Sequence, residues 1–289
     1  MKIAKYWQQN DASASGDPML NKVPEITLYF WIIKILCTTV GETAADFLSE
    51  QLHLGLTITT FIMSSLLLIT LFFQFASRRY IPGIYWLAVV FISVVGTLIT
   101  DNLTDNFGVS LETTTIVFSI ALVATFGAWY AREKTLSVHT IYTLRREVFY
   151  WLAILCTFAL GTAAGDLTAE RLNLGYVMSA ILFGTAIAVV AVAHLCFKLN
   201  AVLAFWIAYI LTRPLGASLG DYLTQSNSNG GLGLGTVLTS ALFLGTISLT
   251  VIYLAITKKD VIAPVDLPVR ETKHREKEQE EGAPSSHRK

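Results

Sequence analysis

Apolar residues along this chain gather in eight long segments, which are separated by short polar connections. The segments cover residues 26–47, 56–76, 83–101, 112–131, 148–166, 175–197, 200–221 and 233–257. At roughly 1.5 Å per residue, such segments are long enough to cross a hydrocarbon core of about 30 Å. Only helices and closed barrels satisfy the backbone inside a bilayer, and runs of this length indicate helices. The pattern therefore predicts an all-α fold, a polytopic transmembrane bundle of eight helices.

A spaced pattern recurs four times across these segments. In each copy glycine follows tryptophan by ten positions, aspartate follows it by fifteen, and an acid or amide comes four residues later. The copies are Trp31–Gly41–Asp46–Glu50, Trp86–Gly96–Asp101–Asp105, Trp151–Gly161–Asp166–Glu170 and Trp206–Gly216–Asp221–Gln225. A register kept four times indicates an internal repeat, here a hairpin of two helices. The repeats cover about 25–80, 81–135, 145–199 and 200–258, and two spans per unit give all four the same orientation.

This arrangement resembles a bacterial membrane-protein family described as four tandem repeats of unknown function. Each repeat of that family has two transmembrane helices and a characteristic tryptophan, for which Trp31, Trp86, Trp151 and Trp206 qualify here. The resemblance covers roughly residues 25–258 and implies the eight-helix architecture. It brings no established reaction, so the function has to be inferred from the residues.

The charges are few and segregated. The chain of 289 residues is 53% hydrophobic, 15% charged and formally neutral, a composition typical of a bilayer-embedded protein. Lys and Arg concentrate in the connections that follow the even-numbered segments, and acids in those that follow the odd ones. The positive-inside rule then places the basic connections and both termini in the cytoplasm, with the protein in the bacterial inner membrane. Residues 1–24 are predicted to be a cytoplasmic polar arm, 25–258 the transmembrane domain, and 259–289 a disordered charged tail.

Polar residues form a stripe along each odd-numbered segment. Counting back from each aspartate in steps of four gives Glu42, Thr38 and Lys34; Thr97 and Ser93; Thr162; and Arg213. Residues four apart share one face of a helix. Because polar groups facing lipid are costly, the stripes should face inward. We therefore expect four odd helices to line a centre, with the even helices outside.

The repeated aspartates are the leading candidate ligands. If each tryptophan lies in the inner headgroup belt, its aspartate lies about 22 Å higher, near the outer end of the helix. A carboxylate at a helix C-terminus opposes the macrodipole, so stability alone does not favour it. The candidate metal ligands are Asp46, Asp101, Asp166 and Asp221, joined in ion binding or transport by Glu42, Glu50, Asp105 and Glu170. Carboxylate oxygens suit hard divalent cations. The structural alternative is that each aspartate caps the following even helix.

Two basic residues, Lys34 and Arg213, lie at membrane depth. Each is expected to pair with an acid on another odd helix, since an unpaired charge there is very expensive. In a closed ring the first and fourth repeats are neighbours, which favours a pair between Arg213 and Glu42. Such fixed positive charge argues against a freely open cation pore. Glu42 and Asp46 lie one turn apart and repel unless a proton or a cation intervenes, so Glu42 or Lys34 is a candidate for coupling transport to protonation.

Three functions are compatible with these residues. The leading hypothesis is an integral membrane transporter of a small inorganic ion, a divalent metal cation, with anion transport through Lys34 and Arg213 as a variant. The alternatives are a pseudo-fourfold ion channel with an acidic vestibule and a non-transporting scaffold with structural aspartate caps. The partners expected are the lipid bilayer and the ion, with no nucleic acid and no cofactor beyond a bound metal ion as substrate; oligomerisation is compatible with all three. No catalytic triad order or paired-cysteine zinc motif is present, so an enzyme is not expected.

Overall fold

The computed structural model describes residues 21–262, and these form eight long helices joined by short connections. The helices are α1 Leu28–Asp46, α2 Leu56–Ala76, α3 Pro82–Asp101, α4 Leu111–Glu133, α5 Leu144–Asp166, α6 Gly175–Phe197, α7 Ala201–Thr224 and α8 Thr236–Thr257. Within this range all eight are long and apolar enough to cross a membrane. The predicted all-α, eight-helix fold is confirmed, and the chain is a multi-pass membrane protein.

The four odd helices form a closed ring. Helix α1 packs against α3, α3 against α5, α5 against α7, and α7 returns to α1. Most residues of these helices are buried, whereas few residues of the even helices are. The prediction that odd helices line a centre and even helices lie outside is therefore confirmed. The odd helices begin at one end of the ring, called here the Trp end, and finish at the other, called the Asp end.

The repeated glycines set the spacing of this ring. An added methyl group at Gly41 would lie 1.9 Å from Ser93 Oγ, and one at Gly96 would lie 2.7 Å from Phe158 Cβ. The other two copies, Gly161 and Gly216, meet Arg213 and Thr38 in the same way. In each case the glycine meets the residue seven positions after the tryptophan of the next odd helix. Glycine is thus required four times for close helix approach, as in small-residue transmembrane interfaces.

The even helices pack across repeat boundaries. Helix α2 packs along α3, α4 along α5, α6 along α7, and α8 along α1. Each even helix thus supports mainly the odd helix of the next repeat, and α8 closes the circle on the first. The sequence repeat is a pair of consecutive helices, as expected for a hairpin. The two helices that pack most closely, however, belong to two neighbouring repeats.

The repeat tryptophans lie in an aromatic layer at the Trp end. Trp86, Trp151 and Trp206 are 2%, 3% and 4% exposed, and Trp31 is partly buried. Their ring partners include Phe30, Tyr85, Tyr150, Phe205 and Tyr209. The three buried tryptophans therefore fill the space between the helices instead of facing lipid.

A buried polar network ties the segment before α1 to the Trp end. The Lys22 ammonium lies 2.7 Å from one Glu147 carboxylate oxygen, and Gln74 donates to the other at 2.9 Å. Beyond α8, Asp260 is 1% exposed and accepts a hydrogen bond from the Tyr80 hydroxyl at 2.6 Å. Residues 21–24 and 259–262, assigned from the sequence to the arm and tail, therefore pack on the bundle. The remainder of the predicted arm and tail lies outside the described residues.

The orientation of the bundle is testable by labelling from outside the cell. Two sets of exposed positions serve as labelling sites. The first set lies in the connections after even helices and consists of Arg78, Lys134 and Lys198; the second lies in the connections after odd helices and consists of Glu50, Asp105 and Asn227. In a variant whose three native cysteines are replaced by alanine, single cysteines at the first set should be shielded from an impermeant thiol reagent, because basic connections stay inside. Cysteines at the second set should react. Labelling of both sets in intact cells would contradict the predicted orientation.

Candidate functional site

The ends of the odd helices bring the repeated acids together. Each of the first three odd helices passes, directly after its aspartate, into one turn of π-helix: Phe47–Gln51, Asn102–Asn106 and Leu167–Arg171. The acid four residues after the aspartate lies on that turn. Since the ring places all four helix ends around one centre, side chains that are far apart in the sequence meet at the Asp end.

These side chains line a single cavity of about 480 Å³. The aspartates are buried or half-buried, whereas the acids of the π-turns are exposed and form the rim. The lining includes all eight acids predicted as ligands, namely Glu42, Asp46, Glu50, Asp101, Asp105, Asp166, Glu170 and Asp221. The structure therefore assembles the complete predicted set in one place. Gln225, the fourth-repeat counterpart of the rim acids, lines the cavity too.

Three of the acids approach one another closely. Glu42, Asp166 and Asp221 each offer a carboxylate oxygen, and these oxygens lie within 4.8 Å of one another. Oxygens on opposite sides of a bound Ca²⁺ ion are up to about 5 Å apart, so the spacing is compatible with ligation of one cation. Glu42 and Asp221 are buried and Asp166 is half-buried. Like charges this close favour a bound cation or shared protons.

Most of the cavity acids have no basic partner. In the described part of the chain, Glu42 is the one lining acid with a lysine, arginine or histidine nitrogen within 4.0 Å. The other seven acids lack such a neighbour. Glu112 follows Asp105 by seven residues, but it pairs with Arg171 at 3.1 Å and does not line the cavity. The cavity thus concentrates carboxyl groups that no basic side chain of the described residues neutralises.

The aspartates do not act as caps. The N-cap residues Gly55, Leu174 and Gly235 of three even helices make no side-chain capping bond, and Ser110 caps α4 with its own hydroxyl. Within residues 21–262, no backbone N–H of an even helix donates to a repeat aspartate. The structural alternative considered for these four residues is therefore absent from the fold.

Arg213 lies beneath the cavity and contacts one of its lining residues, Glu42. Its Nη2 lies 2.8 Å from Glu42 Oε2 and donates to Thr162 Oγ1 at 2.7 Å and to Thr97 Oγ1. Its Nη1 donates to the Thr38 carbonyl oxygen at 3.3 Å. One guanidinium on α7 thus contacts all three other odd helices. The contact with Glu42 is the pair expected across the seam between the first and fourth repeats.

Comparison with known families identifies the repeat. A family model described as Repeat of Unknown Function matches residues 29–80, 84–135, 149–199 and 204–260. The chain belongs to this DUF347 family. No curated protein and no solved structure matches the chain. The matched segments coincide with the four repeats predicted from the Trp, Gly and Asp register.

Each DUF347 repeat contributes one residue to every layer between the odd helices. A layer is the set of four residues that lie at the same distance after the four tryptophans. The layer at eleven positions contains Glu42, Thr97, Thr162 and Ala217, and the layer at seven contains Thr38, Ser93, Phe158 and Arg213. The layer at three contains Lys34, Val89, Ile154 and Tyr209. All twelve are buried. Layers four residues apart are about 6 Å apart along a helix. From the Asp end inward, the lining therefore changes from acids to hydroxyls, then to the layer with Arg213, and last to a mostly apolar layer that contains Lys34.

Lys34 is not paired with an acid, contrary to expectation. Its side chain is fully buried, and its Nζ has no hydrogen-bond partner in the described residues. The ammonium lies 3.9 Å from the centre of the Phe158 ring and 4.1 Å from that of Tyr209. Glu42 is two turns away on the same helix and is already bonded to Arg213. The aromatic faces supply the attraction that the expected carboxylate would have supplied.

The hydroxyls that hold Arg213 were not singled out as ligands from the sequence. Thr97 and Thr162 occupy the same repeat position as Glu42, eleven residues after tryptophan. This register was visible in the polar stripe. Their contact with one guanidinium could not be inferred, because it depends on which helices neighbour α7.

Proposed function

We propose that this DUF347 protein is a transporter of a small inorganic ion, a divalent metal cation, that loads at the acidic cavity. The observation that carries the proposal is the convergence of eight acids on one cavity, seven of them without a basic partner. Carboxylate oxygens are the ligands that Mg²⁺, Ca²⁺ and Mn²⁺ prefer. By the positive-inside rule, the cavity faces the outside of the cytoplasmic membrane.

The path below the cavity favours a gated carrier over an open channel. Arg213 lies directly beneath the acids, and Lys34 lies one layer further from the Asp end. Beyond them the buried tryptophans fill the space between the odd helices. A cation that leaves the cavity inward has to pass the Arg213 guanidinium and the Lys34 amine, so conduction requires these groups to move. Glu42 links the two regions because it belongs to the close carboxylate trio and also binds Arg213.

The absence of caps weighs against the scaffold alternative. A purely structural role would leave the repeat aspartates hydrogen-bonded to helix N–H groups, and none is in the described residues. Four carboxylates around one cavity repel one another, which destabilises an empty bundle. Ion binding accounts for this arrangement, because a cation or proton relieves the repulsion.

Replacing Asp166 with asparagine tests this function. We expect Asp166→Asn to abolish thermal stabilisation by Mn²⁺ or Mg²⁺ and uptake of the ion into liposomes, because a neutral amide cannot replace a charged ligand. The folded yield should be nearly unchanged, since this carboxylate has no hydrogen bond or ion pair within residues 21–262. Glu112→Gln is the matched control, as this acid lies at the same end but outside the cavity lining.

Two results would contradict the proposal. One is an equal response to the ions in the wild type and in Asp166→Asn. The other is a wild type that no divalent ion stabilises, together with loss of folded yield in the asparagine variants of all four repeat aspartates. The second result would favour the scaffold.

A further inference from the structure

The Arg213 guanidinium occupies a cation position at the floor of the acidic cavity. It is fully buried and lies 2.8 Å from Glu42 Oε2, and Glu42 is one of the three acids whose oxygens lie within 4.8 Å of one another. The same carboxylate therefore serves a fixed cation and the proposed ion site. No hydrogen bond reaches Glu42 Oε1 within residues 21–262. Glu42 has one oxygen bonded to Arg213 and the other available to the cavity.

We propose that Arg213 is a tethered cation that competes with the transported divalent ion for Glu42. In the ion-free protein the guanidinium neutralises this carboxylate and closes the cavity floor. An ion bound by Glu42, Asp166 and Asp221 places a second positive charge beside the guanidinium, so ion binding weakens the contact between Arg213 and Glu42. The inference rests on the proposed function and assigns Arg213 the role of setting ion affinity and selectivity.

Competition follows from how Arg213 is held. Apart from Glu42, its partners are neutral oxygens: the Thr38 carbonyl and the Thr97 and Thr162 hydroxyls. These groups can keep the guanidinium hydrogen-bonded after its contact with the Glu42 carboxylate is broken. Displacement of Arg213 from Glu42 therefore does not leave the guanidinium without hydrogen-bond partners. The binding sites for the ion and for Arg213 are therefore linked through one residue, and linkage of this kind is reciprocal.

The competition selects for ion charge. A monovalent ion brings the same charge as the guanidinium but none of its directed hydrogen bonds, so it gains little by replacing Arg213 at Glu42. A divalent ion interacts with each carboxylate twice as strongly at the same distance. Because Asp166 and Asp221 contribute to the same trio, a divalent ion also binds two further carboxylates that Arg213 does not contact.

Mn²⁺ affinities of Arg213 variants test the proposal. With the purified full-length protein in detergent, the dissociation constant for Mn²⁺ is measured by calorimetry for the wild type, Arg213→Lys and Arg213→Gln. Competition predicts that affinity rises in that order, with Arg213→Gln tighter than wild type by about tenfold or more, the factor expected for loss of one hydrogen bond to a charged group. If Arg213 instead positions Glu42 as a ligand, the order is reversed. Thr157→Val is the control, because this buried hydroxyl bonds only within its own helix, to Ile154.

Chemical rescue provides a second readout. In Arg213→Ala, free guanidinium at millimolar concentration should weaken Mn²⁺ binding toward the wild-type value, whereas equal sodium chloride should not. If Arg213→Ala does not fold, the order of Mn²⁺ affinities among the wild type, Arg213→Lys and Arg213→Gln decides the matter. Wild-type affinity equal to or tighter than that of both variants overturns the competition but leaves the acidic site intact, provided that Asp166→Asn still loses binding. Absence of Mn²⁺ binding in every variant overturns the inference and the proposed function together.

Discussion

Gly216→Ala is expected to destabilise the folded bundle by about 3 kcal/mol, the upper end of the usual range for overpacking a closely packed interior. A methyl group at this position would lie 2.0 Å from Thr38 Oγ1, 2.5 Å from Thr38 Cβ and 3.1 Å from the Thr38 carbonyl carbon. Neither Cβ nor the carbonyl carbon can rotate away. The only relief is separation of α7 from α1, the contact that closes the ring.

A glycine on a lipid-facing helix provides the matched control. Gly127 lies within α4, is exposed, and would have no atom within 4 Å of an added methyl group. Gly127→Ala should therefore leave stability unchanged or raise it by up to about 1 kcal/mol through helix propensity. Both variants are compared by thermal or denaturant unfolding of the purified protein and by the fraction recovered as a single species. Equal stability of Gly216→Ala and the wild type would show that the ring does not require close contact at this seam.

The glycine register illustrates which part of the fold can be predicted from the sequence. Hydrophobic segments predict the eight helices because a membrane span has a required length, and the ends of α2 and α6 match the predicted segments. The fixed tryptophan-to-glycine spacing predicts a repeat. It does not identify the partner of each glycine, because a periodic pattern contains no information on which helix lies opposite. The ring order supplies that information.

The acidic cavity was predictable because its residues obey the repeat, whereas the basic residues break it. Lys34 and Arg213 have no counterpart in the other repeats at their positions. Charge balance predicted an acid for each, and this succeeded for Arg213 but was wrong for Lys34. The reason is depth: Glu42 lies one layer from Arg213 and two layers from Lys34, and the layer that contains Lys34 holds no acid. The Phe158 and Tyr209 rings lie at that depth instead.

The polar network at the Trp end had a sequence signal that was overlooked. Glu147 is an acid in a region otherwise rich in bases, and Gln74 is a polar residue near the end of an apolar segment. Both are at most 1% exposed, and Lys22 binds between them. An acid among bases is ambiguous in sequence, since solvent exposure would explain it equally well. Only the packing of residues 21–27 against the bundle decides between these interpretations.

Arg213→Ala is expected to be the most destabilising single substitution among the charged residues, by roughly 3–5 kcal/mol, the usual loss when one partner of a buried ion pair is removed. The variant leaves Glu42, which is 6% exposed, without its cation, and it removes contacts to α3 and α5. Adding Glu42→Gln should recover part of this loss, because the neutral amide no longer needs a counter-charge. The free energies of unfolding of the wild type, both single variants and the double variant, all measured without divalent ions, give the coupling energy.

The sign and size of that coupling decide whether the contact between Arg213 and Glu42 is the one that stabilises the seam. Directly contacting residues are non-additive, so the double variant should be clearly more stable than the sum of the single losses predicts. The exposed pair of Arg171 and Glu112, 3.1 Å apart and outside the cavity lining, is the comparison and should show little coupling because solvent screens it. Additive losses at Arg213 and Glu42 would mean that Arg213 is stabilised by the hydroxyls of Thr97 and Thr162 or by a bound anion. Anion transport would then be favoured over transport of a divalent cation.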